Sequence, residues 1–270
     1  MNWIISDIHG CHHTLLKLLA RIEMQDSSPF YVFVGDYFDR GKYAHKVVEH
    51  ILSLPNYIAL RGNHDEVIDF LVNGHSMTPA SEWVWGEPTI NKIANWWVIN
   101  GLNDTFDCYD VRAIASQIPY SPTIDYRAKV EELRDNMPES HKSFLYGLKM
   151  YWENDTHFAC HAYLDPALEL PRELRFLSSD FYYSMLWGRF RPDPIGGIDS
   201  RIVPKWDKIG VFGHTPVKFY QMVVPIRHHN IRLIDAGVYQ NEYLVGYCCE
   251  RDEFLTVACE LCDIEGDCEG

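Results

Sequence analysis

The sequence predicts an α/β fold, layered sheets and helices in one domain spanning 1–270. Two observations predict it. Short apolar runs alternate with amphipathic helical patterns through the first third of the chain. Blocks rich in Asp, His, Asn and Gly follow directly on those runs, as functional βα loops do in a parallel sheet.

The elements follow in order. Trp3-Ile4-Ile5 reads as a buried strand, and a helix from about 12 to 23 carries Leu15, Leu16, Leu18, Leu19 and Ile22 on one face. A strand at 31–34 leads to a helix near 43–53, with Val47, Val48, Ile51 and Leu52. A strand at 57–60 runs into Glu66-Val67-Ile68-Asp69-Phe70-Leu71. From about 74 to 150 Trp83, Trp85, Trp96 and Trp97 gather among prolines, predicting a helical insertion packed over a sheet edge, its tryptophans mainly core. Asn100-Gly101 marks a turn. Strands return at 157–160, 208–212 and 231–234, and the runs 243–247 and 254–258 flank a polar turn, as in a hairpin. The acidic tail, about 263–270, is expected to fray.

Composition bounds the partners. Apolar residues make up 47% and charged residues 23% of the 270, ordinary for a globular chain. A net charge of −14 disfavours duplex nucleic acid as the main partner, because phosphate binding needs a basic face. It does not exclude an anionic substrate, since bound divalent ions would set the local field. There is no membrane-spanning run and no signal peptide to read, which argues for the cytoplasm and for eight reduced cysteines. Cys259 and Cys262 have zinc-type spacing, but no second pair or nearby His completes a site.

Five strand ends carry the chemistry. Asp7 and His9 lie two apart on one side of an extended segment. Asp36 follows a glycine, and one carboxylate can bridge two ions about 4 Å apart. Asn63 adds a neutral oxygen beside His64, and His161 and His214 each follow an apolar strand. A lone strand-end His is usually structural; five complementary blocks are not. Hard oxygens mixed with imidazoles suit a divalent metal such as Mn²⁺, Fe or Zn²⁺.

Through these residues the chain resembles the phosphoprotein phosphatase (PPP) branch of the calcineurin-like metallophosphoesterases. The family pattern GDxHG, GDxxDRG, GNH[ED], His-Ala-Gly and GHT is matched by SDIHG at 6–10, GDYFDRG at 35–41, GNHD at 62–65, HAY at 161–163 and GHT at 213–215. The stretches at 95–101, 185–190 and 234–237 look like bacterial and phage members of the lambda phosphatase type. The resemblance implies a four-layer α/β/β/α sandwich. It implies two divalent ions, Mn²⁺ foremost, one held by Asp7, His9 and Asp36 and the other by Asp36, Asn63, His161 and His214. It makes His64 the general acid, oriented by Asp39, and Arg40 a contact of the phosphoryl oxygens. Arg189 falls near a second phosphate-binding position, with Arg191 as competitor.

The resemblance implies a metal-dependent phosphatase acting on phosphoserine, phosphothreonine, phosphotyrosine or small phosphoesters; the alternative is a diadenosine tetraphosphate hydrolase. Diesterases of the wider family end in G-H-x-H, whereas Gly213-His214-Thr215-Pro216 lacks the second His. A catalytically dead binding module would have lost ligands, and none is lost. Four departures stand out: Ser6 for Gly, Asp65 for Glu, Leu102 for Gly, and Tyr163 for Gly after His161-Ala162. A side chain at Tyr163 is expected to narrow the pocket mouth or stack on a base or aryl group.

Overall fold

A computed structural model describes residues 1–82, 88–112, 125–168 and 179–266. Trp83 and Trp85 lie outside the described residues. In chain order the strands are β1 (Asn2–Ile5), β2 (Phe30–Phe33), β3 (Tyr57–Ala59), β4 (Tyr151–Glu153), β5 (His157–Cys160), β6 (Ile209–Phe212), β7 (Ile226–His228), β8 (Ile231–Leu233), β9 (Tyr243–Cys248) and β10 (Glu253–Ala258). They form two five-stranded sheets, ordered β10-β9-β1-β2-β3 and β4-β5-β6-β8-β7. β1, β2 and β3 run parallel, as do β5, β6 and β8. The expected hairpin is β9 and β10, paired from Glu253 opposite Cys248 to Ala258 opposite Tyr243. β4 and β7 were not legible in the sequence; each is a three-residue antiparallel edge strand, too short for a periodic pattern.

Alternation along the strands builds two cores. Trp3 and Ile5 of β1, with Tyr31 and Phe33 of β2, face the first core; Ile4 and Val32 face the second. The first core is roofed by α1 (His12–Glu23), α2 (Ala44–Ser53), α3 (Asn63–Asn73), α4 (Ile90–Trp97), α5 (Leu102–Cys108), α6 (Arg127–Asn136) and α7 (Glu139–Gly147). The second lies between the sheets, where Ile4, Val32 and Leu60 meet Phe158, Val211, Phe212 and Leu233, with Met185 and Leu186 of α8 (Ser179–Trp187). This is the layered α/β sandwich expected, and every regular element described between 74 and 150 is helical.

Two expectations change. The acidic tail does not fray at 263: α9 (Cys262–Glu265) ends the described chain, and the buried Asp263 carboxylate accepts from both backbone and side chain of His13 and of Thr14. It caps the first turn of α1, whose orphan N–H groups need an acceptor; residues 267–270 lie outside the described residues. Of the cysteines read as reduced, Cys262 is disulfide-bonded, while Cys11, Cys108, Cys160, Cys248, Cys249 and Cys259 are free. No helix of the described residues is long and apolar enough to cross a membrane.

Candidate metal centre and active site

Parallel strands in both sheets bring their carboxyl ends to one edge. β1 delivers Asp7 and His9, β2 Asp36, and β3 leads into Asn63 and His64 at the start of α3. From the second sheet β5 delivers His161, β6 His214 and β8 Asp235. All seven sequence-predicted ligand and acid residues among these are therefore drawn to one place, and the side chains converge. His9 Nε2 lies 3.5 Å from Asp36 Oδ2, and His161 Nε2 lies 3.5 Å from Asp36 Oδ1. Asn63 Oδ1 lies 2.9 Å from His161 Nε2 and 2.8 Å from His214 Nδ1.

The backbone is bent to achieve this. His9, Asp36, Asp39, Arg40 and His214 all adopt positive φ, between 46° and 71°, which costs non-glycine residues energy and concentrates at functional sites. Two glycines allow the close approach. A Cβ on Gly62 would sit 2.1 Å from Asp36 Oδ1, and one on Gly213 2.0 Å from Asp7 Oδ1. The Asp65 carboxylate gathers the N–H groups of Asp36, Tyr37 and Gly62 at 2.7–2.9 Å, so Asp at the usual Glu position ties two ligand loops together. The departure at Ser6 is equally local: its hydroxyl accepts from Val245 N–H at 3.1 Å.

The donor set fits divalent cations. His161 Nδ1 faces the Val34 carbonyl at 3.0 Å and must carry the proton, so its Nε2 lone pair faces the Asn63 and Asp36 oxygens. Acceptors gathered this closely need a cation among them. Asp7 Oδ1 and His214 Nε2 are buried without a hydrogen-bond partner. Of three sets of potential ligand atoms among the described residues, two lie here, His9 with Asp36 and His64, and Asp36 with His161 and His214, sharing Asp36 as a bridge would.

Electrostatics point the same way. Burial, then the negative charges of Asp235 and Asp36, holds the Asp7 carboxyl well above the usual carboxylate range. Burial and Asp65 do the same to Asp36. Burial holds His9 and His214 well below the ordinary imidazole value and His161 down to about 3. Carboxylates that resist ionising beside imidazoles that resist protonation are relieved together by bound cations.

Above these groups opens a cleft of about 470 Å³, lined in part by His64, Arg40, Arg189, Trp96, Trp187 and Lys218. His64 Nδ1 lies 2.7 Å from Asp39 Oδ2. Arg40 Nη1 lies 2.9 Å from His9 Nε2.

Residues 3–218 match the model of the calcineurin-like phosphoesterases. The chain belongs to that family. Its members hydrolyse phosphate esters with divalent metal ions. Among curated proteins it is 35% identical over 63 residues to serine/threonine-protein phosphatase 2 of Salmonella typhimurium, covering 23% of this chain and 28% of that one. It is 31% identical over 92 residues to the symmetrical bis(5′-nucleosyl)-tetraphosphatase of Coxiella burnetii, covering 34% and 30%. The matched stretches thus span under a third of either relative. Among solved structures, a candidate diadenosine tetraphosphatase superposes with a TM-score of 0.60 at 16% identity over 96% of this chain and 93% of that one. A Saccharomyces cerevisiae protein serine/threonine phosphatase gives 0.51 at 13% identity over 96% and 79%. At such identities these two show the fold alone.

In this calcineurin-like phosphoesterase the sequence-predicted residues separate. Arg189 lines the cleft, whereas Arg191 points away and pairs with Asp199 at 2.7 Å. Tyr163 is not part of the cleft wall, against expectation: its ring packs on Phe190 at 4.8 Å, and a Cβ on Gly188 would meet Tyr163 Cβ at 2.7 Å. Half-buried, that side chain packs against the edge of the second core. Leu102 is buried in the first core. Sequence reasoning placed Asp235 at a strand end but gave no site role to it, to Tyr239 or to Lys218. Asp235 follows a strand in the same manner as Asp7 and could have been found; burial pushes it up to about 6. Tyr239, whose ring lies 4.0 Å beneath the Arg40 guanidinium, carries no signal in the sequence.

Proposed function

We propose that this protein is a metal-dependent phosphomonoesterase acting on phosphoserine, phosphothreonine or phosphotyrosine residues or small phosphoesters. Asp7, His9 and Asp36 would hold one ion, and Asp36, Asn63, His161 and His214 the other, with Mn²⁺ the preferred metal. When bound, the ions supply an acidified water and a positive clamp for the phosphoryl oxygens. The observation that carries the reading is the Asp39–His64 pair opening on the same cleft as Arg40. Arg40 presents a planar fork to the equatorial oxygens. His64 Nε2 gives its proton to the leaving oxygen as the P–O bond breaks, and Asp39 holds Nδ1–H and stabilises the imidazolium. Arg189 provides a second cation to the bound phosphate.

The cleft also favours a second reading, hydrolysis of dinucleoside polyphosphates, the substrate class named for the Coxiella burnetii relative. Trp96, Trp187 and Phe219 offer stacking faces, and Lys218 is a cation beyond those assigned to one phosphoryl group. A Mn²⁺-loaded panel of phosphopeptides, p-nitrophenyl phosphate, diadenosine tetraphosphate and a phosphodiester separates the two. Cleavage of the dinucleotide alone, or the diester alone, would sink the first reading. Equal phosphate release by wild type and His64→Asn would sink the mechanism.

A further inference from the structure

We infer that Trp97 and Thr105, from the helical insertion, are positioning residues that hold Asp39 as an acceptor so that His64 can protonate the leaving oxygen; this rests on the phosphatase reading above. Asp39 is fully buried, and each of its carboxylate oxygens is occupied. Oδ2 takes His64 Nδ1 at 2.7 Å and the Trp97 indole N–H at 2.6 Å. Oδ1 takes the Thr105 hydroxyl, whose own oxygen accepts the Asp39 N–H at 3.1 Å. An indole N–H can only donate, and the threonine proton is directed at Oδ1. The carboxylate is thus served by donors on both oxygens, which leaves His64 Nδ1 as a third donor and turns Nε2 to the cleft.

A buried carboxylate is costly unless donors serve its oxygens, and Thr105 and Trp97 supply two of them beside His64. The insertion grips the same turn mechanically. Gly101, between α4 and α5 with φ of 104°, lies so close that a Cβ there would be 2.5 Å from Arg40 N. Asp39 and Arg40 hold positive φ of 67° and 71°, conformations that persist only where surrounding contacts fix them. The Trp97 ring also packs edge-on against His64, centroids 4.8 Å apart.

A purely structural tryptophan would affect all substrates alike; a positioning residue for the acid is felt only where the leaving group needs a proton. The test compares a phosphoserine peptide with p-nitrophenyl phosphate, whose phenolate leaves without help. With Mn²⁺, Trp97→Phe, which keeps a ring on His64, is expected to lower kcat about 10- to 30-fold on the peptide and less than about threefold on the aryl ester. Thr105→Val should show the same asymmetry to a lesser degree, and Thr105→Ser, which keeps the hydroxyl, should return both esters to wild-type rates; the near-isosteric valine decides the matter where Trp97→Phe unfolds. Equal losses on both esters in the folded variants, or none, would overturn this inference alone. Failure of the wild type to release phosphate from either ester would overturn the phosphatase reading and this inference with it.

Discussion

Arg40 donates from Nη1 to His9 Nε2 at 2.9 Å, while His9 Nδ1 lies 3.0 Å from the Phe38 carbonyl. The carbonyl can only accept, so Nδ1 carries the proton and Arg40 occupies the lone pair that a metal would take. Metal binding and this hydrogen bond are therefore exclusive. Arg40→Ala is expected to leave Mn²⁺ affinity undiminished or raised while weakening inorganic phosphate binding about tenfold or more. Calorimetric titration with each ligand checks this; a loss of Mn²⁺ affinity in the variant would refute it.

Chelation should lower thermal stability as well as activity. Asp7 and Asp36 are buried side by side near Asp235 and repel one another, with Arg40 only partly offsetting the charge at Asp36. Ions bound only to the folded state stabilise it by mass action, about 2.7 kcal/mol at a hundredfold excess over Kd. Melting curves with EDTA and with added Mn²⁺ should differ by several degrees. Coincident curves would argue against a folded-state metal site.

Arg61 pins α3, and with it Asn63 and His64. Its guanidinium is fully buried, 2.9 Å from Glu66 and 2.8 Å from Asp69, and donates to the Leu145 carbonyl at 2.7 Å. Arg61→Met leaves the buried Glu66 without its cation and Asp69 with His75 alone, and should cost about 3–5 kcal/mol. Urea unfolding measures it; a cost under about 1 kcal/mol would show that the network carries little of the stability.

The histidine cluster at the start of α1 predicts an acid limb. Burial, then the neighbouring His13 and His50, brings His12 down to about 4. Its ordinary value is about 6.5, so the unfolded chain binds the extra proton first. The His12 contribution to stability is intact above pH 6.5 and is lost as the pH falls from there toward 4. Against wild type, His12→Gln should show a shallower decline in Tm over that window. Parallel curves would remove His12 as a cause.

Lys218 should discriminate substrates. It lines the cleft among the aromatic side chains. Lys218→Ala should raise KM for diadenosine tetraphosphate about tenfold and leave that for p-nitrophenyl phosphate within about twofold. Equal effects on both would mean that Lys218 does not contact a second phosphate.

What the sequence determined by itself was local. Ligand types sit one to four residues beyond apolar strands, and period-two and period-3.6 patterns reveal which segments those are. The run from Asp7 to His64 was therefore legible, as were His161, His214 and the α/β class. What only the tertiary structure decided was which distant groups meet. The strand order sets β5, β6 and β8 against the ends of β1, β2 and β3, and so places Asp235 beside Asp7. Packing laid Tyr163 against the second core beside Phe190 and left Arg189, rather than Arg191, on the cleft. Trp97, Thr105 and Tyr239 reach Asp39 and Arg40 from segments whose sequence reads as ordinary core or loop. A side chain's partner across 58 or 66 residues depends on how layers stack, and no periodicity encodes that.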